Sequence, residues 1–126
     1  MIVLDASVLI AHLDSADAHH DRAFALLLAA ADDTFAASVL TVAEVLVGPA
    51  RAGAVERATA ALRRLGVVAL PLDAAASAAL ATLRAATGLK LPDCCVLLAA
   101  EPHDAALATF DDRLAAEARQ RDVRVV

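Results

Sequence analysis

Four acidic residues lie far apart along the 126-residue chain, and each stands where an element begins or ends: Asp5, Glu44, Asp93 and Asp111. Asp5 follows the apolar run Ile2-Val-Leu4, and Asp111 follows Ala106-Leu-Ala-Thr109-Phe110. Glu44 sits inside the apolar run Phe35–Val47, and Asp93 follows Leu91-Pro92. Taken singly, each reads equally well as a cap or turn residue. Thr41-Val-Ala-Glu44 matches a capping box, and an Asp at a helix start suits both the cap and the macrodipole. The set says more than its members. Two acids that end parallel strands share the carboxyl edge of one sheet, and two acids in first turns within apolar runs turn towards that edge. Carboxylates converging in one crevice repel and raise one another's pKa. A hard divalent cation, Mg²⁺ or Mn²⁺, relieves that repulsion. Such a centre activates water and holds a phosphodiester for in-line attack.

The elements that must position these acids are legible in the hydrophobic pattern. Short apolar runs at Ile2–Leu4, Thr34–Ala37, Val67–Leu70, Ala106–Thr109 and Val123–Val126 read as strands. Between them, helical spacing covers Ser7–Leu13, His19–Ala31, Leu40–Val47, Val55–Leu65, Asp73–Thr87, Pro92–Ala100 and Asp112–Gln120. Gly48-Pro49 supplies a stop for the third of these helices. All-apolar strands alternating with helices predict an α/β fold: a parallel sheet buried on both faces, with its site off the carboxyl ends of the strands.

Composition narrows the rest. The chain is 60% apolar, which excludes disorder, and with three Phe and no Trp or Tyr its core is aliphatic. Eleven basic residues against 16 acidic ones leave a formal charge of −5. That balance excludes a sequence-blind nucleic-acid coat, which needs a broad basic face. An enzyme that meets nucleic acid through metal ions stays open. Cys94 and Cys95 are adjacent and so form neither a zinc ribbon nor a disulfide framework. No charged leader opens the chain, and the longest apolar run is too short to span a bilayer. The expectation is one domain over residues 1–126, reduced, cytoplasmic and without a membrane segment.

The motifs Met1-Ile-Val-Leu-Asp5-Ala-Ser7, Thr41-Val-Ala-Glu44-Val-Leu-Val-Gly-Pro49-Ala-Arg51, Leu89-Lys-Leu-Pro-Asp93 and Leu107-Ala-Thr109-Phe-Asp111 follow one another in order over nearly the whole chain. Together they resemble the PIN domain family, and within it the VapC-type toxins of bacterial toxin–antitoxin pairs. The resemblance implies a three-layer α/β/α sandwich on a parallel five-stranded sheet and a magnesium-dependent, RNA-cleaving site. It places the family's acids on Asp5, Glu44, Asp93 and Asp111, with Ser7 as the hydroxyl near the metal. Asp112 competes with its neighbour for the fourth position; the acid two residues after Thr109 is the better match. The resemblance also implies an RNA substrate, a VapB-like antitoxin partner and a homodimer. A catalytically silent PIN-like interaction module is the alternative, and four intact acids argue against it.

Other candidates carry less weight. Lys90, Arg51 and Arg113 flank motif acids and could attract phosphates locally, or form surface ion pairs of little consequence. His12, His19, His20 and His103 read as solvated residues, and the two cysteines as buried small hydrophobes. Asp104 is a weaker, stray acid. A phosphatase of the dehalogenase type would carry Asp at position seven, where Ser7 stands, and a receiver domain would carry an acidic pair upstream of Asp5.

Overall fold

Alternating short apolar and longer amphipathic runs fold into one parallel sheet with helices on both faces, in a computed structural model covering residues 1–126. The order is β1 (Ile2–Leu4), α1 (Ala6–Leu13), α2 (His20–Ala29), β2 (Phe35–Ser38), α3 (Val39–Arg51), α4 (Val55–Arg64), β3 (Val68–Leu70), α5 (Ala76–Thr87), α6 (Leu91–Ala100), β4 (Ala106–Ala108) and α7 (Asp112–Gln120), with a 3₁₀ turn at Glu101–His103. The strands lie side by side as β3-β2-β1-β4. Every pairing is parallel, with Ile2 opposite Phe35 and Ala106, and Leu4 opposite Ala108.

Strand alternation sends neighbouring side chains to opposite faces, and the core divides accordingly. Ile2, Leu4, Phe35, Ala37, Ala106 and Ala108 pack against Val8 and Leu9 of α1, Leu27 of α2, Val45 of α3 and Leu62 of α4. Val3 and Leu107 point the other way, onto Leu83 of α5, Val96 and Leu97 of α6, and Leu114 of α7. No helix is long and apolar enough to cross a membrane.

Four local expectations are corrected, two in the sheet and two at the ends of α3. The sheet has four strands. The stretch expected as a fifth, Val123–Val126, makes a single parallel bridge between Leu107 and Val125. The chain turns back after α7 through Asp122 at φ 61°, so only its last residues reach β4. There Leu107 N donates to Arg124 O (2.8 Å) and Val126 N to Leu107 O (2.9 Å). β3 is an edge strand rather than a buried one, with Val68 49% exposed.

Helix α3 departs from its expected ends on both sides. It begins at Val39 behind Ser38, whose hydroxyl accepts from Leu40 N at 3.2 Å, so the Thr41–Glu44 capping box does not form. It also runs through Gly48-Pro49. Pro49 stands in the last turn, and the helix ends only when Gly53 takes a left-handed φ of 68°.

Candidate functional site

The sheet order changes direction at β1: the chain builds β2 and β3 on one side and returns to place β4 on the other. The crevice beyond the carboxyl ends of β1 and β4 is therefore the place where such sheets bind ligands. With Leu4 opposite Ala108, the residues that follow, Asp5 and Thr109, emerge as neighbours, and Asp5 N donates to Ala108 O at 2.9 Å.

A hydrogen-bond network fixes Asp5 there. Ser7 Oγ donates to Asp5 Oδ2 at 2.7 Å, and Thr109 Oγ1 donates to the same oxygen at 2.8 Å. Each hydroxyl oxygen also accepts from the β4–α7 connection. Phe110 N donates to Ser7 Oγ and Asp111 N to Thr109 Oγ1, both at 3.0 Å. Asp5 is 7% exposed and stands at the N-cap position of α1 without capping it through its side chain. Its other oxygen, Oδ1, makes no hydrogen bond within the chain. Asp111 is the N-cap of α7, its Oδ1 accepting from Leu114 N at 2.8 Å, which leaves Oδ2 uncommitted.

The other two acids ride on helices. Burial first, then the charges of Asp5 and Asp93, push the Glu44 carboxyl above its ordinary range. Burial likewise raises Asp93, reinforced by Asp5 and then Asp111, while Lys90 and Arg113 pull it back down. Asp93 therefore lies within electrostatic reach of Asp5 and Asp111, and Glu44 within reach of Asp5 and Asp93, at one sheet edge. Asp93 responds to Asp111 and not to Asp112, which lies exposed in the first turn of α7. Lys90, the exposed N-cap residue of α6, stands beside Asp93 as a counter-charge. Asp104 follows the 3₁₀ turn at the amino end of β4, the opposite edge of the sheet.

The acids do not close into a ready cage of three ligands. Asp5 and Asp111 are tethered by their hydrogen bonds, and like charges stand apart. The donor set nevertheless suits a hard divalent cation: only oxygen ligands, two of them with an oxygen free, and a carboxylate repulsion that the nearby cations relieve only in part.

Sequence reasoning did not single out Thr109 or Ser38 as site residues. The buried polar residues are Asp5, Ser38, Thr41 and Thr109. All of them lie at a strand's carboxyl end or one turn beyond. A hydroxyl closing an otherwise apolar strand was the available signal. His19 and His103 are exposed as expected, whereas His12 and His20 are half-buried. His20 Nδ1 lies 2.7 Å from Ala11 O, tying α2 to α1, and His19 rests 5.0 Å from the Phe110 ring. His12 is pushed down by burial and by His20. Cys94 and Cys95 are buried free thiols, both pushed up by burial.

Comparison with known proteins gives this arrangement a context. The sequence model of the PIN domain matches residues 2–119. Among solved structures, a toxin–antitoxin complex from Klebsiella pneumoniae superposes with a TM-score of 0.76 at 26% identity, covering 100% of this chain and 96% of that one. FitAcB from Neisseria gonorrhoeae gives 0.73 at 24% identity, covering 99% and 96%. VapC20 of Mycobacterium tuberculosis, a sarcin–ricin loop cleaving toxin, gives 0.76 at 18% identity, covering 93% and 95%. No curated protein sequence matches.

Proposed function

The chain belongs to the PIN domain family, and on that premise we propose that it is a magnesium-dependent endoribonuclease, the toxin of a toxin–antitoxin pair. The observation that carries the reading is the hydrogen-bonded Asp5 at the β1/β4 edge, with Glu44 and Asp93 raised by burial and then by its charge. Asp5, Glu44, Asp93 and Asp111 are the residues that would hold Mg²⁺, or Mn²⁺ in its place. A divalent ion held by these residues would supply positive charge where negative charge builds on the phosphorus oxygens and would make a water more acidic.

The chain's own groups set up that chemistry. Ser7 and Thr109 both donate to Oδ2 of Asp5, so they fix its rotamer and leave Oδ1 as an acceptor without a partner in the chain. Asp111, held as a cap through Oδ1, offers Oδ2 to a cation or to the attacking water. Lys90 and Arg113, on the Asp93 side, draw RNA phosphates towards an otherwise acidic surface.

The antitoxin partner is supported by the K. pneumoniae likeness and by an open, largely apolar cleft of about 640 Å³ between α1, α3 and α4. Ile10, Leu13 and Val45 line it and Glu44 stands on its rim, so a small VapB-like partner seated there would lie beside the acids. A homodimer completes the proposal, as the family resemblance implies.

The test is cleavage of a mixed RNA pool by the wild type and by Asp5→Asn, each with Mg²⁺ and with EDTA. Cutting by the wild type with Mg²⁺ alone is the expected result. Equal cutting in all four conditions, or none in any, overturns the proposal.

A further inference from the structure

One group at the rim of this site has no part in the carboxylate network. The guanidinium of Arg22, on α2, lies over the Phe110 ring with its central carbon 4.6 Å from the ring centroid. Phe110 is partly buried against the first core cluster, and its backbone N–H is bonded to Ser7 Oγ, the hydroxyl that also holds Asp5. The ring is thereby fixed between Thr109 and Asp111. The His19 ring packs on the same Phe110 ring at 5.0 Å and a 40° tilt.

Stacking of this kind holds an arginine by its face and leaves its N–H edges free. Arg22 is exposed and makes no hydrogen bond or ion pair within the chain. The chain's one ion pair joins Arg121 to Glu101, at the amino-end side of β4. A polynucleotide crossing four acids meets repulsion at every phosphate beside the one being cut, so it needs cations beyond the acids on both sides. Lys90 and Arg113 stand on the Asp93 side. Arg22 is the cation on the Phe110 and Asp111 side.

We infer that Arg22, stacked on Phe110 at the edge of the carboxylate site, contacts a backbone phosphate and positions single-stranded RNA across that site. The inference rests on the nuclease reading and deepens it. Single-stranded RNA is favoured over duplex because the exposed His19 ring at the same edge offers a stacking face to an unstacked base, which a duplex hides. A purely structural Arg22 would instead only fasten α2 to the β4–α7 connection.

Salt dependence separates these roles. In the Asp5→Asn background, with Mg²⁺ present, fluorescence anisotropy of a labelled mixed-sequence single-stranded RNA is measured over a range of salt. Arg22→Gln should bind about tenfold more weakly at low salt, with a log–log salt slope shallower by about 0.7, the value for one phosphate contact on a single strand. Arg22→Lys should keep the slope while losing part of the affinity. Arg63→Gln, on the exposed face of α4, should change neither. Weaker binding by Arg22→Gln with an unaltered slope overturns the phosphate contact. Unaltered affinity and slope do so too, and the nuclease reading then stands if the wild type still cuts RNA. A wild type that neither binds nor cuts RNA overturns both.

Discussion

The acids at the sheet edge fall into two classes, and the contrast between them carries the chemistry. Asp5 and Asp111 spring from strand ends and are tied down, the first by two hydroxyl donors and the second by the α7 backbone. Glu44 and Asp93 ride on α3 and α6, make no hydrogen bonds within the chain and carry raised pKa values. On the proposed reading, the first pair would offer a cation its fixed oxygens. The second pair carries the cost of burial and of neighbouring acids, which Lys90 and Arg113 offset only in part at Asp93, and its side chains have no partner within the chain to hold them.

Removing single acids breaks this contrast most sharply. Changes one layer out from a metal typically cost ten- to a hundredfold, so Glu44→Gln and Asp93→Asn should each lower Mg²⁺-dependent RNA cleavage by more than about a hundredfold. Each should also raise the metal-free Tm, by no more than about 2–4 °C because both groups are partly solvated. Asp5→Ala should abolish cleavage and lower the Tm instead, since it strips Ser7 and Thr109 of their shared acceptor. Thermal melts in EDTA decide the matter. A fall in Tm for Asp93→Asn comparable to that for Asp5→Ala would merge the two classes.

The next effect removes no charge. Thr109 is 5% exposed, donates to Asp5 and accepts from Asp111 N. Thr109→Val should cost about 1–3 kcal/mol of stability by leaving that N–H unpaired. It should lower cleavage about ten- to a hundredfold by loosening Asp5. Denaturant melts and cleavage rates check the two figures, and unchanged cleavage would show that Asp5 is positioned by Ser7 alone.

What the sequence made legible follows the same division. Asp5 could be placed from the pattern, because a three-residue apolar run has one carboxyl end and the next residue must stand there, and Asp111 because it caps the helix that follows β4. Glu44 and Asp93 could be assigned to helices, but not the environment that raises them, which depends on how α3 and α6 pack around the edge. The capping box at Thr41 failed because Ser38, one turn earlier, already caps α3. The fifth strand shrank to a bridge because strand length depends on where the chain turns back after α7, which local apolar runs do not encode. Thr109 was visible only as part of a motif. Its bond to Asp5 joins residues from opposite ends of the chain.

A smaller effect tests the unrelieved charge directly. Glu44 and Asp93 have folded pKa values above their unfolded ones, so between the two ranges the folded chain binds more protons than the unfolded chain. Stability without metal should therefore fall as pH rises from the ordinary carboxylate range through the raised values, then level off. Above that interval, excess Mg²⁺ should return about 2–4 °C of Tm, and below it little, because protons occupy the same oxygens. Scanning calorimetry with and without Mg²⁺ across that interval tests the sign. A metal-free protein that gains stability over the same rise in pH contradicts it.

The smallest expected change compares two buried threonines at the same sheet edge. Thr109 Oγ1 is doubly bonded, whereas Thr41 Oγ1, in a residue only 1% exposed, has no partner. An unpaired buried hydroxyl destabilises, and an apolar group of the same shape removes that penalty. Thr41→Val should therefore leave stability unchanged or raise it by up to about 1 kcal/mol, opposite in sign to the same substitution at Thr109. Cleavage should be unaffected, because the Thr41 hydroxyl makes no hydrogen bond to any of the four acids. A loss at Thr41 matching that at Thr109 would mean that its hydroxyl gains a partner once the site is filled, extending the polar edge from β1 and β4 to the first turn of α3.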